Sequence, residues 1–174
     1  DMKSNLRIIR TSAGQADSTG WIPVRSAAGG FSVYVPSPFT EAASTAEMDG
    51  QSVPMVMVGT KTADLKFAAL AIELHSGEQE MARAEHAIKS LRQFKNAIVC
   101  NKRLFKDRFP LMEMEVNAPQ VKGLSQVIVT DKTHYILSVE SRELTEEVRT
   151  TARRFFDSFE IVPSEPNEPP RHDT

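Results

Sequence analysis

Basic side chains concentrate in the stretch NKRLFKDR, residues 101–108. The stretch has one carboxylate, Asp107, and four cations: Lys102, Arg103, Lys106 and Arg108. A charge run of this kind is typical of a solvated hairpin tip. The same cations could dock an acidic surface of a partner protein. The sequence leaves both interpretations open, and the second predicts a partner-binding site at these four residues.

The only tryptophan of the chain, Trp21, is a further candidate for partner binding. It lies where a small, polar stretch, residues 11–20, meets the first clear strand pattern. An indole ring has a large apolar body and one polar N–H, so it suits both packing and recognition. Trp21 therefore either packs over a sheet edge or forms an exposed binding aromatic.

Two carboxylates, Glu113 and Glu115, lie two residues apart on a predicted strand and so share one of its faces. Paired carboxylates are the catalytic groups of glycoside hydrolysis. Their alternation with Met112 and Met114 favours a solvent-facing row of charges instead.

Metal-binding patterns are weak. The histidines lie at positions 75, 86, 134 and 172, and no two are four residues apart as in H-E-x-x-H. A zinc site built from His75, His86 and a carboxylate such as Glu85 is conceivable, but solvated or hydrogen-bonded histidines are the ordinary interpretation.

Nucleophile and phosphate-binding motifs are missing as well. Cys100 is the single cysteine, and its setting in AIVCNK predicts a small hydrophobe in a buried strand rather than a reactive thiol. The sequence contains no G-x-S-x-G elbow and no glycine-rich phosphate loop. We therefore predict no catalytic residue, no metal site and no cofactor.

Composition restricts the class of protein. The chain has 174 residues, of which 40% are hydrophobic and 25% charged, which fits one globular domain. Its net charge of -2 argues against non-specific binding to nucleic acid or to an anionic membrane, which needs a basic excess. No apolar run approaches the roughly 18 residues of a membrane-spanning helix.

The elements that must position these residues follow from periodicity. Alternating or continuous apolar runs predict strands, which we place at 21–26, 31–35, 52–60, 65–74, 97–105, 109–116, 124–130 and 134–141. Gly29 and Gly30 predict a hairpin turn between the first two strands, and Asp131-Lys132 predicts another before the last strand.

Two helices complete the predicted fold. Apolar residues recur at three- and four-residue steps over 78–95. A second helix begins at a Thr145 cap and ends in three phenylalanines, Phe155, Phe156 and Phe159. We predict an α+β domain in which an antiparallel twisted sheet of about six to eight strands packs with these two main helices, the phenylalanines sealing its apolar face.

The ends of the chain differ in composition from its middle. Residues 1–20 are predicted to be a flexible tether, residues 21–162 a single domain, and residues 163–174 a Pro-rich disordered tail.

The order of elements resembles that of small secreted bacterial proteins of the Mog1/PsbP-like fold. The pattern G-F-x-V-x-x-P is matched by Gly30, Phe31, Val33 and Pro36, x-Y-x-L-x-V by Tyr135, Leu137 and Val139, and A-x-R-F-x-x-S-F by Ala152, Arg154, Phe155, Ser158 and Phe159. These are packing residues. The chain departs from the family in the hairpin between the strands at 97 and 109, which usually carries glycines and here reads FKDRFP. The resemblance implies export, either periplasmic, secreted or lipid-tethered, and a role in binding another protein.

Three functions stay open at this point. The first is a non-catalytic exported binding or accessory domain that contacts a protein partner through the four cations and Trp21. The second is a hydrolase-like enzyme with a site assembled from distant strands. The third is a carrier of small apolar ligands, with a cavity lined by Met55, Met57, Met112 or Met114.

Overall fold

The structure is a computed structural model that describes residues 6–12, 14–48, 51–73 and 97–162. The predicted helix over 78–95 and the predicted tail over 163–174 lie outside the described residues.

Eight strands form one large sheet in which every neighbouring pair is antiparallel. The strands are β1 (Arg7–Thr11), β4 (Thr40–Met48), β5 (Gln51–Lys61), β6 (Leu65–Glu73), β7 (Ala97–Phe105), β8 (Phe109–Asn117), β9 (Lys122–Val129) and β10 (Thr133–Ser141). Their order across the sheet is β1-β4-β5-β6-β10-β9-β8-β7. Apart from β1 and β4, these strands lie where the apolar patterns predict them.

A second, three-stranded sheet consists of β2 (Trp21–Ser26), β3 (Phe31–Pro36) and β11 (Glu160–Ile161), in the order β11-β3-β2. The predicted fold class, one sheet packed with two main helices, is therefore wrong for the described residues, which form two sheets and one helix. Alternation identifies β2 and β3 as strands, but it carries no information on which sheet a strand joins.

Residues 7–11 fall within the predicted tether, yet they form β1 at one edge of the large sheet. They pair with β4 from Arg7 opposite Ala43 to Thr11 opposite Thr40. The Arg10 guanidinium also donates to the Glu41 carboxylate at 2.8 Å, which ties this edge to the next strand.

The single described helix, α1 (Glu146–Asp157), begins as the sequence predicts. The Thr145 side chain accepts a hydrogen bond from the backbone N–H of Val148 at 3.2 Å, and Glu146 and Glu147 occupy the first turn near the positive end of the helix dipole. The helix buries Ala152, Phe155 and Phe156.

The main core contains the inward side chains of the small sheet, of α1 and of one face of the large sheet. Phe155 is fully buried and Phe159 is 2% exposed, which confirms the predicted role of these rings. The Phe159 ring stacks on Phe31 at 5.8 Å between centroids and also contacts Tyr135 and Phe105. This aromatic cluster joins the small sheet and the end of α1 to the large sheet.

Candidate functional site

The basic residues predicted to bind a partner lie on the β7–β8 hairpin, which we call the basic hairpin (residues 101–108). Its tip is a tight turn in which Lys106 and Asp107 both have positive φ angles, 51° and 56°, and the Arg108 N–H donates to the Phe105 carbonyl at 3.1 Å. Turns with two positive φ angles normally use glycine or asparagine, so a lysine here costs on the order of 1 kcal/mol. The surrounding structure must stabilise this turn.

Cation–π contacts provide that support. The Arg108 guanidinium carbon lies 4.7 Å from the centroid of the Phe109 ring, and the Lys106 ammonium lies 5.9 Å from that of Phe105. The Phe105 ring in turn contacts Phe159 in the core at 5.8 Å. The tip is thus anchored to the main core through its aromatic residues while its charges remain in solvent.

Two of the four cations predicted to bind a partner, Lys106 and Arg108, lie at this tip without an ion pair among the described residues. Within the described part of the chain, no carboxylate lies within 4.0 Å of the Lys106 ammonium or the Arg108 guanidinium. Lys102 is also exposed and without an ion pair among the same residues. Arg103 differs, because its guanidinium lies 3.6 Å from the Glu113 carboxylate. The hairpin therefore presents Lys102, Lys106 and Arg108 as available cations.

A solvent-open cleft of about 490 Å³ lies beside the hairpin, at the end of the two sheets. We call it the end cleft. Its walls come from six separate segments and include Gly30, Glu73, Arg108, Lys132, Tyr135 and Ile161. A neighbouring groove of about 460 Å³ shares Arg108 and Ile161 with it and extends to Phe105, Lys106 and Glu160. Arg108 thus connects the basic hairpin to both concave surfaces.

Tyr135 supplies a neutral polar group to the end cleft. Burial raises the pKa of its hydroxyl above the ordinary value, and a hydrogen bond with the Thr133 side chain opposes that rise only in part. The phenol consequently stays protonated at neutral pH and can donate or accept a hydrogen bond, but it cannot serve as a base. The sequence did not predict this cleft. Its single local signal is Gly30, which has a φ of 70°; a Cβ added at this position would lie 3.7 Å from the Tyr135 hydroxyl oxygen.

Trp21 is separated from the basic hairpin. It begins β2 at the end remote from the 27–30 turn, is only 8% exposed, and packs edge-on against Phe67 at 5.6 Å. The Arg154 guanidinium carbon lies 4.3 Å from the centroid of the indole ring, and the guanidinium donates to the Thr19 hydroxyl at 2.8 Å. This placement fits the packing interpretation and leaves little indole surface for a partner.

The Glu113 and Glu115 side chains do share a face of β8, but the predicted solvent-facing row is wrong. Glu115 accepts two hydrogen bonds from Arg149 of α1, at 2.8 and 3.1 Å. Glu113 accepts from Arg153 at 2.9 Å and from the buried Gln126 amide at 2.7 Å. Both carboxylates therefore hold α1 against the outer strands of the large sheet.

These contacts lower the pKa of both carboxylates. Burial alone would raise the pKa of Glu113, but hydrogen bonds from Arg153 and Gln126 and the positive charges of Arg153 and Arg103 outweigh it. For Glu115 the hydrogen bonds from Arg149 lower the pKa and exceed the opposing effect of burial. Two carboxylates held ionised by arginines cannot provide the protonated acid that glycoside hydrolysis requires.

Cys100 is exposed, so the prediction of a buried core thiol is wrong. It occupies a β-bulge between Val99 and Asn101, and its Sγ lies 3.5 Å from the Ile98 carbonyl oxygen. An extra residue in a strand shifts the inside–outside alternation, which is why the apolar sequence around Cys100 misled the prediction.

The candidate zinc ligands His75 and His86, with Glu85, lie outside the described residues, as does His172. His134 is 3% exposed. Over 6–12, 14–48, 51–73 and 97–162, no group of three or more histidine, cysteine, aspartate or glutamate side chains is placed to hold a metal ion. Among the same residues, no helix is both long and apolar enough to cross a bilayer.

Comparison with known proteins yields no assignment: no family model matches the chain, and no curated protein matches it. The resemblance to Mog1/PsbP-like proteins stays a prediction.

Proposed function

We propose that this chain is a non-catalytic binding domain that docks an acidic surface of a partner protein onto its basic hairpin. The observation that carries the proposal is the position of Lys106 and Arg108 at a left-handed turn: both are exposed, both are free of carboxylate partners among the described residues, and each lies over a neighbouring aromatic ring. A backbone already held in a turn has less conformational entropy to lose on binding than an unstructured loop.

The charge distribution supports an acidic partner. The whole chain carries a net charge of -2, whereas residues 101–108 carry four cations against one carboxylate. A local excess of this kind on an acidic protein steers an oppositely charged surface toward one site, and mutation of exposed charges chiefly changes the association rate and its salt dependence.

The shape around the hairpin supports a protein partner. The end cleft and its neighbouring groove are open to solvent and both border Arg108. A side chain of the partner can enter either concave surface while its carboxylates contact Lys106 and Arg108. No particular observation favours the hydrolase or the apolar-ligand carrier, and export is supported only by the resemblance to Mog1/PsbP-like proteins.

Charge reversal at the tip tests this function. We would use three baits for affinity capture from a native extract at low salt: the unaltered chain, Lys106→Glu/Arg108→Glu, and Lys61→Glu/Lys66→Glu. Lys61 and Lys66 are exposed and paired on neighbouring strands at the opposite end of β6 from the end cleft, so this double variant is a matched control.

The expected result is a protein that the unaltered chain and the Lys61/Lys66 variant retain and the Lys106/Arg108 variant loses, with retention falling as salt rises. Equal capture by all three baits would remove the basic hairpin as the docking site. Equal loss in both double variants would show a general charge effect rather than a site.

A further inference from the structure

The outer edge of β7 is the second feature of this region that could bind a chain. β7 is the last strand in the order of the large sheet and has nine residues, Ala97–Phe105. Among the residues that the structure describes, no strand pairs with its outer side. The edge of a sheet presents unpaired backbone N–H and C=O groups that can accept another extended chain.

The register with β8 indicates which backbone groups point outward. Leu104 pairs with Pro110, which has no N–H, so this pair is of the non-hydrogen-bonded type. In an antiparallel ladder the groups of such a residue point away from its partner strand, and the pattern repeats every second residue. The N–H and C=O groups of Leu104 and of Lys102 therefore face the free edge.

The side chains along this edge favour an acidic, partly apolar occupant. Leu104 and Ile98 are 54% and 65% exposed, which is high for large apolar side chains. Residues 97–106 include Lys102, Arg103 and Lys106 and no acidic residue. A second copy of this chain added edge to edge would bring these cations together, whereas an acidic strand would be attracted.

We propose that an extended acidic segment of the partner adds to β7 as a further antiparallel strand of the large sheet. The bulge at Cys100 interrupts regular pairing, so the paired stretch is Asn101–Phe105. Backbone bonds to Lys102 and Leu104 give affinity, while carboxylates of the segment contact Lys102 and Lys106. This inference rests on the proposed function, since it specifies how the partner engages the basic hairpin.

The test uses a synthetic nine-residue peptide of alternating glutamate and valine, with an alternating lysine and valine peptide as its charge control. Amide hydrogen exchange of the full chain is followed residue by residue by NMR. The acidic peptide is expected to slow exchange at Lys102 and Leu104 by about tenfold or more, because their N–H groups become hydrogen-bonded. The lysine peptide is expected to have no effect.

Proline substitution separates strand addition from simple charge attraction. Leu104→Pro removes an outward N–H while sparing the bonds to β8, and Leu104→Val keeps that N–H. We expect Leu104→Pro to weaken peptide binding about tenfold and Leu104→Val to leave it nearly unchanged. If Leu104→Pro does not fold, as judged by Trp21 fluorescence, Lys102→Pro compared with Lys102→Gln makes the same test.

The outcomes distinguish this inference from the proposed function. Peptide binding that Lys106→Glu/Arg108→Glu abolishes and Leu104→Pro leaves intact would overturn strand addition but retain docking on the basic hairpin. Binding that neither variant weakens would overturn both. A concentration-dependent dimer in sedimentation that Leu104→Pro dissociates would show that the edge belongs to a second copy and would overturn the acidic partner.

Discussion

Removal of the Phe159 ring should damage the junction between the two sheets more than almost any other single truncation. Phe159 is 2% exposed and follows the C-terminus of α1. Its ring lies 5.8 Å from Phe31 of the small sheet, 5.3 Å from Tyr135 of the large sheet and 5.8 Å from Phe105 of the basic hairpin. The variant Phe159→Ala deletes all three contacts.

The expected loss follows from burial and from ring contacts. Truncating a buried phenylalanine to alanine costs about 3–5 kcal/mol, including the cavity left behind. Each aromatic pair contributes roughly 0.5–1.5 kcal/mol beyond its buried area, so three pairs place Phe159 toward the upper part of that range. We expect the free energy of unfolding to fall by about 4 kcal/mol, which in a chain of this size lowers Tm by roughly 8–16 °C.

Urea titration read by tryptophan fluorescence measures this loss directly, because Trp21 is the only tryptophan and is 8% exposed in the same core. Leu104→Ala is the matched control: it also truncates a large apolar side chain, but one that is 54% exposed, and should change stability by less than about 0.5 kcal/mol. A loss below about 1 kcal/mol in Phe159→Ala would refute the reasoning, since no buried ring in three aromatic pairs should be so dispensable.

The remaining predictions concern acid stability, helix capping and the thiol. The folded pKa of Glu113 lies below its unfolded value, so its stabilising contribution is present above about pH 4.3 and is lost as pH falls through the folded value. Glu113→Gln should therefore make the loss of stability with falling pH shallower in urea titrations. An unchanged pH profile would contradict the contacts with Arg153 and Gln126. Thr145→Ala removes the cap on the Val148 N–H and should cost about 1 kcal/mol in the same titration at neutral pH, whereas Thr145→Ser should cost little. Cys100 is exposed, so Ellman's reagent should titrate one thiol in the native protein at a rate close to that in urea. Reaction only after unfolding would contradict this exposure.

Local patterns in the sequence predicted those elements whose structure depends on local chemistry. Phe31, Val33 and Val35 alternate with polar residues along β3, and Thr145 with its two following glutamates marks the start of α1. β4 was not predicted, because TEAASTAEM has no alternation of apolar and polar residues. Its extended conformation depends instead on its pairing with β5. The division into two sheets depends on contacts between residues far apart in the chain, which periodicity does not encode.

The candidate site was predictable only in part for the same reason. A charge run within eight residues located the basic hairpin, but nothing local indicated that Arg103 pairs with Glu113 or that Trp21 lies beneath Arg154. The end cleft combines six segments between Ala27 and Val162, so its existence follows from the tertiary fold, and Gly30 is its one local signal.

Site-specific photocrosslinking tests the central claim, that the basic hairpin contacts a partner, most directly. A photoreactive phenylalanine analogue replaces either Asp107, at the hairpin tip, or Asp64, in the exposed turn after β5 at the far end of the large sheet. Both replacements remove one carboxylate and no cation, so the two probes differ in position and not in charge. Irradiation in native extract should give a discrete covalent adduct from position 107 that high salt suppresses, and none from position 64; equal adducts from both positions, or an adduct from position 64 alone, would contradict the claim.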